Sequence, residues 1–303
     1  MKIAQAIAEQ SRSNRSAAGH AHHFAEHRAR LTQEIAARSP PGGGGRLCLL
    51  GAGAANDVDL DALADLFAEI HLVDIDAQAI QTARERAHPD TARRLRLHGA
   101  RDVSGVFDLM EGWAQSPPAA AELPALAQAA VARVVAALPG PFDLVVSCCL
   151  LTQLQLVMLQ VVGDRNPRFG DLRALLSRVH VRALATLAGA GGRALLVTDL
   201  TSSDTYPLDD LAPDADLRAL MSDLLSVGNV IHAAHPGLLS AEIRRDPDWG
   251  ARYTVSAPIG PWIWHNGPQA TFLVYALEIA PRGGAATTSP PSDPLSPVRG
   301  GEG

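Results

Sequence analysis

Aromatic residues are scarce, with Phe, Trp and Tyr together making 4% of the 303 residues. The apolar share of 47% is therefore mostly Ala, Leu and Val, which still suffices for a sizeable core and excludes wholesale disorder. Basic residues are in deficit too, 26 against 32 acidic, and the net charge of −6 offers no field for a polyanion. With no local basic patch to offset it, a nucleic-acid partner is not expected. Cysteine is rare: Cys48, Cys148 and Cys149 all fall inside apolar runs, and neighbours 148 and 149 are poorly placed for a structural cross-link. A reducing, cytoplasmic setting is the expectation. The first 15 residues read as a polar helix and lack the apolar stretch of about 7 to 15 residues that marks a secretory leader. One uncharged run, 144–163, has the 20 residues of a membrane span, but Ser147, Thr152, Gln153, Gln155 and Gln160 interrupt it. It predicts a buried strand running into a buried helix, and no membrane partner.

What is present is alternation. Residues 46–50 (RLCLL), 69–73 (EIHLV), 94–98 (RLRLH), 142–146 (FDLVV) and 193–197 (RALLV) read as short buried strands, separated by Ala-rich stretches long enough for crossover helices. This is a βαβ series and predicts a mostly parallel, doubly wound sheet. After residue 230 the grammar changes. Segments 252–265 and 270–279 read as two strands joined directly across Asn266, Gly267 and Pro268, an antiparallel hairpin at the edge of the sheet. The SPPGGGG run at 39–45 denies both helix and ladder and marks off a leading helical segment. The division expected is 1–42 as helical segment and linker, 43–281 as one α/β domain, and 282–303, rich in Pro, Ser, Thr and Gly, as a disordered tail.

The first strand ends in Gly51, Ala52, Gly53, Ala54, Ala55 and Asn56, followed by Asp57 and Asp59 as a helix begins. So many small residues let a ligand approach the backbone near the positive end of a helix. The second strand ends in Asp74, and 74 − 51 gives 23 residues. That is close to the roughly 20-residue spacing at which an acidic side chain meets a ribose diol, so an adenosine-containing ligand is predicted. A dinucleotide fingerprint wants Gly or Ala where Asn56 stands, and carboxylates at 57 and 59 repel a pyrophosphate while tolerating a sulfonium or ammonium.

These residues resemble the class I S-adenosylmethionine-dependent methyltransferases over about residues 46–280. The likeness lies in the Gly51/Gly53 turn, the VDID segment at 73–76, Asp102 in HGARD, the FDLVVSCCLL strand and turn, the GGRALLVTD strand and the terminal hairpin. It implies a Rossmann-like seven-stranded sheet with its last strand antiparallel, and S-adenosylmethionine as cofactor. It also implies that backbone at Gly51 to Gly53 meets the methionine portion, Asp74 the ribose hydroxyls, Asp102 with Val103 the adenine, and that Ser147 lies beside the methionine amino group. Ala52, Asn56, Asp57 and Ile75 complete the expected cofactor set. The usual acidic residue two places before the first glycine is Leu49 here, and the usual third glycine is Ala55, departures for which Asn56 or Asp57 can compensate. By the same resemblance, Arg28 on the leading segment is a candidate to close over the cofactor.

Base methyltransferases look like Asp/Asn-Pro-Pro-aromatic after the fourth strand; here stand Ser147, Cys148, Cys149 and Leu150, which argues against base methylation, and a small-molecule acceptor is the expectation. Substrate-facing candidates at the carboxyl ends of the strands are 151–153, 199–202 and 261–265, in particular Gln153, Trp262 and Trp264. His265 or Asp199 is the candidate base. An NAD-dependent oxidoreductase and a non-catalytic binder of the same fold are the competing readings. Plainer roles stand beside each assignment: a helix cap for Asp74, local backbone bonds for Asp102, first-turn acids for Asp57 and Asp59, core packing for the tryptophans and cysteines. His20, His23 and His27 share a helix face near His22, yet no carboxylate partners them at a metal-ligand spacing, so no metal is expected and a solvated or lid-forming helix is.

Overall fold

The computed structural model describes residues 3–18, 23–266 and 270–283. Among them the chain runs through α1 (Ile3–Ala18) and α2 (Ala25–Ala36), then β1 (Arg46–Leu50), α3 (Leu60–Ala64), β2 (Glu69–Val73), α4 (Ala77–Arg86), α5 (Pro89–Arg94) and β3 (Leu95–His98). There follow α6 (Phe107–Trp113), α7 (Leu123–Ala136), β4 (Leu144–Cys148), α8 (Leu150–Val162), α9 (Phe169–Ala188) and β5 (Arg193–Ser202). Helices α10 (Leu217–Val227), α11 (Pro236–Arg244) and α12 (Pro247–Arg252) lead into β6 (Tyr253–Val255), β7 (Ile259–Asn266) and β8 (Ala270–Pro281). The hairpin turn expected at 267–268 and the tail from 284 onward lie outside the described residues.

The strands form one sheet in the order β3-β2-β1-β4-β5-β8-β6, with β7 also on β8. β1 to β5 are parallel. β8 runs antiparallel to β5, and β6 and β7 run antiparallel to β8 along its other edge. The order reverses between β1 and β4, the crevice at which open α/β sheets bind their ligands. The architecture is the expected mostly parallel Rossmann-like α/β sheet with an antiparallel C-terminal hairpin. It differs in having eight strands rather than seven, because the segment expected as one strand over 252–265 breaks at 256–258. There Ser256 turns its hydroxyl to accept from the backbone N–H of Glu278, and Pro258 has no N–H to give a ladder.

Pleating divides the core. Cys48 and Leu50 of β1 join Val73, Val145 and Leu196 in the apolar layer under α6 to α9, while Leu47 and Leu49 join Ile70, Leu72, Val146 and Val197 in the layer under α2 and α3. Strands covered on both faces can be continuously apolar, which is why RLCLL reads as it does. The uncharged run 144–163 becomes β4 and α8, as its interrupting polar residues predict. No helix among the described residues is long and apolar enough to cross a membrane. α2 sinks Leu31 and Ile35, both fully buried, into the second layer against β7 and α3.

Candidate functional site

At the carboxyl end of β1 the chain turns through Gly51 (φ +71°) and Gly53 (φ +49°). Gly51 and Ala52 both donate to the carbonyl of Val73 at the end of β2 (2.9 and 3.2 Å), so the bend is laced to the neighbouring strand. A side chain at Gly51 would put its Cβ 2.9 Å from the Leu150 Cβ, whereas a Cβ at Gly53 would meet nothing within 4 Å. The bend is thus closed below and open above.

Asp74, one residue past β2, braces this opening. Its Oδ2 accepts from the N–H of Gly53 (2.8 Å) and its Oδ1 from the N–H of Asp76 (2.8 Å). Burial raises its pKa, with these backbone donors pulling the other way. It forms no ion pair among the described residues, and it is not the helix cap: that plainer role belongs to Asp76, which caps α4, as Asp59 caps α3.

The bend, Asp74, the first turns of α8, the end of β5 and Trp264 of β7 enclose a cavity of about 660 Å³, well within the size range of ligand sites. A narrower lobe of about 40 Å³ shares Gly51, Asp74 and Gln153 with it and is otherwise lined by residues that include Ile75, Val103, Arg101 and, from α1, Ile7. Of the residues expected from sequence, Gly51, Ala52, Gly53, Asn56, Asp57, Asp74, Gln153, Asp199 and Trp264 line the large lobe, and Ile75 and Val103 the small one.

Four expected residues lie elsewhere. Ser147 is fully buried and its hydroxyl sits 2.8 Å from Nε2 of His180 on α9, inside the core. Asp102 spends its carboxylate on its own loop, accepting from the N–H and hydroxyl of Ser104 and the N–H of Phe107. His265 alternates to the exposed face of β7, where Nδ1 pairs with the Thr271 hydroxyl (3.0 Å), itself bonded to Asp209. Trp262 is turned to α2, donating through Nε1 to Nδ1 of His27 (3.0 Å). None of the four lines either lobe of the cavity.

The helix expected to be solvated or lid-forming is docked on β7 through that same His27. The ring is buried, stacks on Trp264 with centroids 4.7 Å apart, and is held neutral with a pKa lowered to about 3 by burial and by Arg28. Its Nε2 lies 4.0 Å from Oδ1 of Asp57. Next to it, Arg28 donates through Nε to the carbonyl of Asn56 (2.7 Å), clasping the loop that ends in Asp57. His23 is exposed, His20 and His22 fall outside the described residues, and no cluster of three or more metal-ligating groups occurs among those described.

Two carboxylates dominate the floor. Asp57 rises to about 7, first through burial, then through Asp199, with Arg28 opposing. Asp199 rises to about 6 through burial, against the Thr152 hydroxyl (2.5 Å from Oδ2) and the Cys149 thiol. Asp57 Oδ1 and Asp199 Oδ1 are both buried with no hydrogen-bond partner, and so is Trp264 Nε1. A bulge in β5 between Asp199 and Thr201 re-aims the strand at this point. The thiols of Cys148 and Cys149 are buried and pushed far up, which fits core residues rather than nucleophiles.

The outer wall was not anticipated. Leu156 and Leu159 of α8 are half exposed into the cavity, Phe169 and Arg173 come from α9, and Phe24 and Phe272 close the side. Only the glutamines that interrupt the 144–163 run hinted at a polar face on α8.

No family model matches the chain, and no curated protein does. Among solved structures it is similar to the glycopeptide N-methyltransferase MtfA complexed with S-adenosylmethionine: 14% identity, 83% of this chain, 86% of that one, TM-score 0.42. It is also similar to magnesium protoporphyrin IX methyltransferase from Synechocystis PCC 6803 with bound S-adenosylhomocysteine (13% identity, 86% and 83% coverage, TM-score 0.38). A third is precorrin-6y C5,15-methyltransferase from Geobacter metallireducens GS-15 (13% identity, 81% and 84% coverage, TM-score 0.32). At scores this low the likeness decides nothing about chemistry, which falls to the cavity's own residues.

Proposed function

We propose that the chain binds S-adenosylmethionine and transfers its methyl group to a small-molecule acceptor. The observation that carries this reading is Asp74 at the tip of β2, bonded to Gly53 across an open glycine bend at the switch point of the sheet. A carboxylate in that position suits a ribose diol and opposes the extra phosphate of NADP. The bare backbone at Gly53 gives a polar ligand tail room to lie against the peptide. Asp57, beside the bend, brings a buried, unpartnered oxygen that suits a cationic ligand and opposes a pyrophosphate. That combination fits S-adenosylmethionine and fits NAD poorly.

On this reading Asp74 holds the ribose, Ile75 and Val103 flank the adenine in the narrow lobe, and the 51–53 bend meets the methionine portion, with Asp57 nearby. Asp102 has no part in it, since its carboxylate is committed to its own loop. The cofactor, when bound, supplies an electrophilic methyl carbon already activated by the sulfonium. The protein's task is alignment and exclusion of water, worth up to about 7 to 11 kcal/mol of barrier. Leu156, Phe169 and Trp264 supply the apolar wall that seats an acceptor.

Calorimetric titration with S-adenosylhomocysteine and, separately, with NAD tests the assignment. Saturable heat is expected with the first and none with the second; the reverse result, or silence from both, discards it. Where binding is found, transfer of a labelled methyl group into small molecules of a cell extract is expected, and persistent lack of transfer would leave a binder.

A further inference from the structure

The wide lobe of the cavity has a marked charge bias. Asp57, Asp74, Asp164, Asp199 and Asp204 line it, and the cation lining it among the described residues is Arg173. Arg173 is itself engaged, its Nε donating to Oε1 of Gln155 (3.3 Å) and its guanidinium lying over the Phe169 ring. Asp74 is satisfied by two backbone donors, but Asp199, 4% exposed, has an Oδ1 with no hydrogen-bond partner. A buried acceptor left unmade costs free energy that a ligand donor would recover. Around these acids stand Leu156 and Leu159, unusually exposed for their type, with Phe169, Phe24 and Phe272. An apolar chamber with an acidic floor selects a molecule with an apolar body and a cationic head.

From this we infer that the acceptor is an apolar amine, received as its ammonium by the Asp57/Asp199 pair, with Asp199 taking the proton that frees the nitrogen to be methylated. The inference rests on the donor assignment above. The charge and atom balance closes: an N–H bond of the ammonium breaks and its proton passes to the Asp199 carboxylate. The freed nitrogen lone pair then forms the C–N bond while the donor's C–S bond breaks and sulfur keeps the bonding pair, turning one cation, the sulfonium, into another, the methylated ammonium. A phenol or alcohol fits less well, because the anion it would form stands against two carboxylates.

The groups facing the pair are few. From α2, His27 is neutral and Arg28 sits on the loop carbonyl of Asn56; Cys148 ends β4, Cys149 stands between β4 and α8, Thr152 comes from α8, and from β8 comes Tyr275, whose hydroxyl donates to the carbonyl of Ala234. Between about pH 6 and 7 the two acids ionise in turn, so ammonium binding should strengthen across that interval while the amine itself stays protonated.

The test uses the full chain and thermal melting with and without saturating S-adenosylhomocysteine. The probes are 2-phenylethylamine and hexylamine, set against 2-phenylethanol and hexanol. Amines are expected to raise the melting temperature and the alcohols to leave it unchanged. Asp199→Asn, which keeps an acceptor for Thr152, is expected to weaken amine binding about tenfold to a hundredfold while preserving the shift given by S-adenosylhomocysteine. Asp57→Asn serves as a second variant should the first fail to fold, with a smaller loss expected. Equal shifts from amines and alcohols, or no shift from any amine, would overturn the inference. So would Asp199→Asn abolishing the S-adenosylhomocysteine shift and sparing the amine shift, since the carboxylate would then serve the donor. If the amines bind the free chain and S-adenosylhomocysteine never does, the donor assignment fails and the amine site stands.

Discussion

Asp74 stands at the tip of β2 beside the 51–53 bend, where its spacing in the sequence puts it, and the reason is physical. Its position, 23 residues after Gly51, follows from one strand, one crossover helix and the next strand, a length the fold fixes. The role proposed for it needs a carboxylate rather than a cap, and Asp76 supplies the cap. Asp74→Ala is therefore expected to weaken S-adenosylhomocysteine binding about tenfold to a hundredfold, the worth of hydrogen bonds to a charged group. Asp74→Asn should fall in between, and calorimetry on both reads the outcome; unchanged affinity would remove Asp74 from the site. Asp57 gives a second residue-level expectation. Its pKa is raised to about 7 in the folded chain from an ordinary value near ~3.9. The folded state thus binds the extra proton between those values, and the stability this contributes is lost as pH rises through about 7. His27, lowered to about 3, works oppositely, since its contribution is lost as pH falls below its ordinary value. The two opposing slopes hide each other in the wild type but not in a difference. Asp57→Asn should melt progressively higher than wild type from pH 5 to about 8, and a pH-independent difference would mean that Asp57 is not held protonated.

Among the elements, buried parallel strands were the most legible, because coverage on both faces leaves a continuous apolar word. The end of the chain was less so. An alternating pattern over 252–265 does not reveal that Ser256 and Pro258 interrupt the ladder, since both residues are tolerated at an edge strand. Nor did the pattern of α2 reveal its docking: histidine at 27 reads as polar, yet its ring stacks on Trp264 and its Nδ1 takes the Trp262 N–H. That one bond ties α2 to β7 across 235 residues of chain. Trp262→Phe keeps the packing and leaves a buried nitrogen unsatisfied, at a cost of about 1 to 3 kcal/mol. A lowered melting temperature is expected, together with weaker S-adenosylhomocysteine binding, because α2 also carries the Arg28 clasp on the 51–57 loop. A variant that melts and binds like wild type would show that α2 is held by Leu31 and Ile35 alone.

Over the whole molecule, the part of the cavity proposed for the donor is built of segments that are legible in the sequence, and the part proposed for the acceptor is not. The donor half is built from consecutive residues at strand ends, Gly51 to Asp57 and Asp74, which local sequence describes. The acceptor half is assembled from α8, α9, the end of β5 and the hairpin, segments far apart in the chain whose meeting depends on packing. The same long-range assembly brings both leading helices to the cavity: Ile7 of α1 lines the narrow lobe, and Phe24, just before α2, lines the wide one. A ligand that fills both lobes touches these helices as well as the bend, so it should suppress their local opening rather than only that of the loop. At a concentration about a hundred times its dissociation constant, the linkage is about 2.7 kcal/mol, or a hundredfold in the open population. Hydrogen exchange with S-adenosylhomocysteine should then slow by up to about that factor in peptides spanning 3–18 and 23–36, as well as in 51–57. The central strands, already covered on both faces, should change little. Protection confined to 51–57 and the start of α8, with both helices exchanging as before, would mean that the helices pack on the domain without roofing the cavity.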